Sequence, residues 1–229
     1  MAEKNLVQEG DQAEVVIAKA KDFWTKNSKI ISIVCVVVVL GVAGYFVYNN
    51  YIQKPKEEKS IDALFKAEDY FRKDSINLAL KGDGQYLGFL KVIEKYEGTD
   101  AGDLACFYAG ACYIKLDDNA NAIKYLKKFS TSSKPLQARA YKLLGDASGD
   151  LGQTADAVDY YKKAAAAFKD DKEGSAEALF LAAYMTDRVL KNKEEAIKLY
   201  KEVKEKFPGS NKTGDVDNYL AQLGVYNAD

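Results

Sequence analysis

Two cysteines, Cys106 and Cys112, stand six residues apart in "CFYAGAC", and a third, Cys35, lies inside an apolar run. A pair at i, i+6 on one helix is separated by roughly 9 Å along the axis and points to different sides, so no intrahelical disulfide can join them. They read as small core residues. The chain has no histidine among its 229 residues. This removes Ser-His-Asp and Cys-His nucleophile systems, the HExxH metal site and the usual general base near neutral pH. "GDGQYLG" at 82–88 holds a Gly-x-Gly, but no strand precedes it and no phosphate-binding lysine follows, so it reads as a turn between helices. "DDKEG" at 170–174 is acidic without the alternating ligands of a calcium loop. Glu194 and Glu195 open a helix, where their charge suits the dipole. Asn211-Lys212-Thr213 is a glycosylation sequon only in a secreted eukaryotic chain. No catalytic constellation, metal set or cofactor motif emerges, and the protein is expected not to be an enzyme and to carry no cofactor.

The charge pattern narrows the partners. Lys and Arg number 33 against 34 Asp and Glu, and beyond Lys59 the balance is 25 to 27. A nucleic-acid footprint needs clustered, uncompensated positive charge, so no nucleic-acid partner is expected.

The strongest single feature is "KIISIVCVVVVLGVAGYFVYNN", in which the nineteen residues from Ile30 to Tyr48 carry no charge. As a helix they would span ~28 Å, close to the thickness of the hydrocarbon layer, with Tyr45, Tyr48 and Tyr51 at an interface. A cleaved signal peptide would have a short positive leader, whereas the residues before this run carry acidic and basic side chains equally, and no lipoprotein cysteine follows. A retained single-pass anchor at 30–52 is the expectation. Lys19, Lys21, Lys26 and Lys29 flank one side and Lys54, Lys56 and Lys59 the other, so the positive-inside count favours a cytoplasmic amino terminus by one. Residues 1–29 contain a short amphipathic helix, with Val15, Val16, Ala18, Ala20, Phe23 and Trp24 on or near its apolar side. It would lie at the membrane interface, dock a partner, or stand solvated. "YIQKPKEEKS" reads as an exposed linker, over 53–60.

From 61 to 229 the chain is rich in helix formers and poor in proline. "AIKYLKKF" (122–129), "AVDYYKKA" (157–164) and "AIKLYKEV" (196–203) superpose at spacings of 35 and 39 residues. Each follows a helix with a pivot residue, Gly110, Gly145 or Tyr184, and Pro135 and Pro208 mark helix boundaries. A two-helix period near 34 is the pattern of the tetratricopeptide repeat, so the chain resembles that class. The expected fold is all-α, one transmembrane helix followed by a tetratricopeptide-repeat right-handed α-solenoid of about four helix pairs and a capping helix. Gly110 and Gly145 would let paired helices approach closely, with Ala122, Ala157 and Ala196 doing the same from the second helix. Tyr125, Tyr161 and Tyr200 would fill the space between repeats. A divergent first unit has a long first helix at about 61–80, using Leu64, Phe65, Tyr70 and Phe71, and a second helix that echoes the last repeat, Phe89 with Tyr200 and Val92 with Val203.

In the usual repeat register the concave face would present Phe107, Ala111 and Ile114, then Arg139, Lys142 and Asp146, then Leu181, Met185 and Arg188. An apolar, a basic and an apolar patch would suit an extended or helical peptide. The carboxylate clamp of chaperone-tail receptors needs Lys and Asn where this chain has Phe107 and Ala111, so that binding mode is not expected.

The segment "DQAEVVIAKAKDFWTKNSK", the apolar span, "GVAGYFVYNNYIQ" and the array together resemble the YfgM family of bacterial Sec translocon ancillary subunits. Asp11, Gln12, Glu14, Phe23, Trp24, Asn27, Gly41, Gly44 and Tyr48 carry the likeness. The resemblance implies an inner-membrane protein with a cytoplasmic amino terminus and a periplasmic array. It also implies work beside SecYEG and a membrane-anchored periplasmic chaperone such as PpiD, on client polypeptides. The residues themselves leave open a cytoplasm-facing receptor or assembly factor that docks cytosolic proteins.

Overall fold

A computed structural model describes the backbone of residues 2–226 and the side chains from Ile17 onward. It divides into two compact units at Pro55. Val15 and Val16, placed above on the apolar side of the amino-terminal helix, lie outside the described side chains.

The first unit is α1 (Ala2–Tyr48) followed by a π-helical turn (Asn49–Gln53). No helix break separates the amphipathic stretch from the apolar run. Its described large apolar side chains, from Ile17 through Val39 to Tyr51, are exposed except for the half-buried Ile31. The helix holds an 18-residue window of mean hydropathy 2.8, none of it buried, and is long and apolar enough to cross a membrane.

The second unit, from Lys56, opens inside α2 (Lys54–Arg72), and here the structure departs from the expected linker at 53–60. Pro55 directly follows the π-helical turn, where Lys54 keeps helical φ and ψ and its N–H bonds back to the Asn49 carbonyl, so the chain enters α2 without a break, and Lys and Glu around it are good helix formers. The segment is also anchored: Ser60 is fully buried and its Oγ donates to the Glu57 carbonyl. Lys56 Nζ donates to the Glu97 carbonyl, and Glu57 accepts the Asp100 N–H. The expected first helix at 61–80 is correspondingly two pieces, because Asp74 takes a positive φ after Arg72 and α3 (Ile76–Lys81) starts anew.

Then come α4 (Phe89–Lys95), α5 (Asp100–Lys115), α6 (Asn119–Leu126), α7 (Lys134–Asp150), α8 (Thr154–Ala167), α9 (Lys172–Arg188), α10 (Lys193–Lys206) and α11 (Lys212–Gln222). The start signals are legible locally. Thr99, Asp118, Asp171 and Asn192 each accept an N–H of the following first turn, and Pro135 opens α7. Gly82–Leu87 interrupts what would be one second helix of the first pair, leaving α3 and α4 on either side. An isolated bridge joins Gly82 to Leu87, and a Cβ at Gly88 would overlap Gly82 N and the Leu80 carbonyl. The Gly-x-Gly segment is thus a turn, as read, and a close approach explains its last glycine.

The core runs through the stack in three clusters, around Phe89 and Val92, around Leu126 and Leu144, and around Tyr200 and Leu220. Ala122, Ala157 and Ala196 are fully buried. A Cβ added at Gly110 would overlap Leu126 Cγ, and one at Gly145 would lie 2.6 Å from Tyr161 Cε1. The two glycines therefore permit the helix contacts expected of them. Tyr125 differs: it is half-buried, stacked on Tyr113 at 5.4 Å, and Leu126 takes the interior place. Phe65, expected in the core, is 56% exposed with the Arg72 guanidinium over its ring. Cys106 and Cys112 are free and buried, and burial raises their thiols to about 11 and about 12.

Candidate functional site

The residues expected on the concave face lie on α5, α7 and α9, the first helices of three successive pairs. Phe107, Ile114, Lys142, Leu181 and Met185 are half-buried, and Arg139 and Arg188 are exposed. Phe107 packs its ring on Phe129 at 5.4 Å and, with Ile114, against the central core cluster. Leu181 and Met185 are partly buried against the last cluster. Met185 lies close enough to α7 that a Cβ at Gly149 would sit 3.4 Å from its Cε. Arg188 is engaged by the capping helix: its guanidinium donates to Gln222, lies over the Tyr219 ring at 5.2 Å and pairs with Asp187 through Nε at 3.0 Å.

Arg139 and Lys142 are the two that the fold brings to one opening. They are on neighbouring turns of α7, beside a groove of about 300 Å³ between α7, the end of α8 and the start of α9. Arg139 is exposed and makes no ion pair among the described residues. Lys142 Nζ lies 3.2 Å from Asp146 and 3.7 Å from Glu177 on α9, so its charge is already shared. Asp146 also accepts the Tyr161 hydroxyl at 2.9 Å. Burial first, and then this carboxylate, push the Tyr161 phenol well above the ordinary tyrosine range. Leu136, Phe168 and Ala178 line the floor and walls. Reading the register alone did not single these three out. The available signal was the longer spacing of 39 residues between the second and third repeats, because the extra chain lies at the end of α8 and in the turn to α9.

This arrangement can hold a polypeptide segment. Among the described residues there is no cluster of side chains that could bind a metal ion.

Stacked helix pairs with small pivots and a capping helix define a helical-repeat interaction protein. The tetratricopeptide-repeat family model matches residues 105–132 and 177–210, so α5–α6 and α9–α10 are tetratricopeptide repeats. Two solved structures share the fold. A crystal structure of MamA aligns with a TM-score of 0.54 at 19% identity, covering 69% of this chain and 85% of that one. A second, of MamA protein, gives 0.52 at 19%, covering 73% and 84%. No curated protein matches the chain.

Proposed function

We propose that this protein is a non-enzymatic, membrane-anchored scaffold whose tetratricopeptide-repeat domain docks protein partners. The observation that carries it is the pairing of an apolar helix, unburied along its membrane-length window, with a stack of repeats in the same chain. None of the apolar window is buried among the described residues, and a lipid layer is the solvent that suits it.

The finer reading rests on the resemblance of residues 11–53 to the YfgM family. The anchor would sit in the bacterial inner membrane with its amino terminus in the cytoplasm and the repeat domain in the periplasm. There it would work beside SecYEG and a PpiD-like chaperone, on emerging secretory chains. Affinity capture of the intact chain in mild detergent should recover channel subunits or a periplasmic chaperone. Repeated recovery of neither removes the translocon role.

A second reading has its own observation, the near-equal lysine counts on the two sides of the span. A cytoplasm-facing receptor would leave the repeats protected in sealed spheroplasts, whereas a periplasmic array is digested by added protease.

A further inference from the structure

The groove beside Arg139 has a cause in the repeat itself. In the first complete repeat, Phe107 of α5 and the Phe129 ring after α6 fill the gap toward the next helix, 5.4 Å apart. The same register positions one repeat later are Lys142 and Ala164, both of which line the groove. In the third they are Leu181 and Val203, which lie in or against the last core cluster. Two large rings have thus been replaced by an alanine and a lysine whose head turns out toward Asp146 and Glu177. Interiors are otherwise close-packed, so a pair of missing rings leaves an opening unless the backbone closes it. The longer α8–α9 connection lies at the same place and contributes Phe168 as an apolar wall.

One cation on the rim is left without an ion pair. Lys142 is offset by two carboxylates, and Asp171 keeps its negative charge while Oδ1 accepts the Gly174 N–H at 2.9 Å to cap α9, so Arg139 is set apart by lacking a partner and not by any net positive charge of the groove. Arg139 alone has no acidic partner among the described residues. A guanidinium beside an apolar wall favours a carboxylate that it can grip through two N–H groups, next to an apolar side chain. About 300 Å³ admits one or two side chains, not a helix. A chain-terminal carboxylate would need several converging donors, and the Gly174 N–H is already taken by Asp171.

We propose that the α7–α9 groove binds an extended peptide segment in which an acidic side chain neighbours a bulky apolar one, the carboxylate on Arg139 and the apolar group between Ala164, Phe168 and Ala178. This rests on the scaffold reading above and names the partner chemistry of one of its surfaces.

The test uses the full chain in detergent micelles and fluorescent, N-acetylated and C-amidated peptides centred on Leu-Glu-Phe-Glu. Controls carry Gln for Glu, or Ala for Leu and Phe. The acidic peptide should bind about tenfold or more tightly than the Gln control, and Arg139→Gln should erase that difference. Ala164→Phe, which restores the ring of the preceding repeat, should abolish binding. Phe168→Ala should weaken it should the filled groove fail to fold. Equal binding of the Gln control, indifference to Arg139→Gln, or no saturable binding at millimolar peptide overturns the proposal. Photo-crosslinkers at Leu136 on the groove wall, and at Phe107 and Leu181, in cells separate the two failures. Partners captured only from Phe107 or Leu181 leave the scaffold standing and sink the groove. Capture from none of the three counts against both.

Discussion

Gly145 with Tyr161, and Tyr184 with Tyr200, occupy the same register positions in two successive repeats and solve one packing problem in opposite ways. In the second complete repeat the pivot has no side chain, and the Tyr161 ring lies so near α7 that a Cβ at Gly145 would come within 2.6 Å of it. In the third, the pivot is itself a tyrosine. Tyr184 stays 39% exposed and stacks beside Phe180, while Tyr200 goes to full burial against Phe180 and Tyr219 of the capping helix. One pair gains closeness by deleting a side chain, the other gains contact area by adding a ring at the edge. The hydroxyls differ as well. That of Tyr161 donates to Asp146, whereas that of Tyr200 has no hydrogen-bond partner among the described residues. A repeat thus prescribes where a helix pair meets but not which side of the contact supplies the volume.

The largest effect that would break this comparison is removal of the buried ring. Tyr200→Ala should cost about 3–5 kcal/mol, measured by denaturant unfolding of the full chain in detergent, against about 1 kcal/mol for the edge ring in Tyr184→Ala. Equal costs would mean that the pivot tyrosine, not Tyr200, organises the third repeat.

Next is the glycine. Gly145→Ala should destabilise by about 1–3 kcal/mol through the clash with Tyr161, although alanine is the better helix former by about 1 kcal/mol. A stabilised variant would show that α7 and α8 can part freely.

The hydroxyls sharpen the contrast further. Tyr161→Phe should lose about 1 kcal/mol with its hydrogen bond to Asp146, while Tyr200→Phe should be neutral or slightly stabilising, because an unpartnered buried hydroxyl costs desolvation. Thermal melts of the two variants side by side check the sign of each.

The smallest expected effect near neutrality is that of pH, which grows only in alkali. Burial raises both phenols and the Cys106 and Cys112 thiols, so the unfolded chain releases these protons first. Their contribution to stability is whole below about pH 9 and declines as pH rises past the ordinary thiol and phenol ranges. Unfolding midpoints should fall from about pH 9 upward. Native Cys106 and Cys112 should react slowly with a thiol reagent compared with the denatured chain.

Much of the architecture was legible because its signals are local. Pro135 at the start of α7, the alanines 122, 157 and 196 in the repeated segments, and the apolar run from Ile30 are each marked by their immediate neighbours in the chain. The linker reading failed because the π-helical turn before Pro55 carries the helix past the proline, and the docking of Lys56, Glu57 and Ser60 near the α4–α5 turn holds the segment, neither of which composition reveals. The candidate face was half legible. The register found Arg139 and Lys142, but it could not show that Phe107, Met185 and Arg188 are committed to contacts within the domain, nor that Ala164 and Phe168 border an opening.

An uncharged run of membrane length, helix pairs at a period near 34, and a chain without histidine chemistry are all readable before any packing is known. These follow from composition and from periodicities that each segment carries alone. Tertiary structure decided the rest: which ring fills each gap, which cation is left unpaired, and where the stack stays open. Those outcomes depend on volumes and charges contributed by residues of different helices, whose sum exists only once the helices are packed.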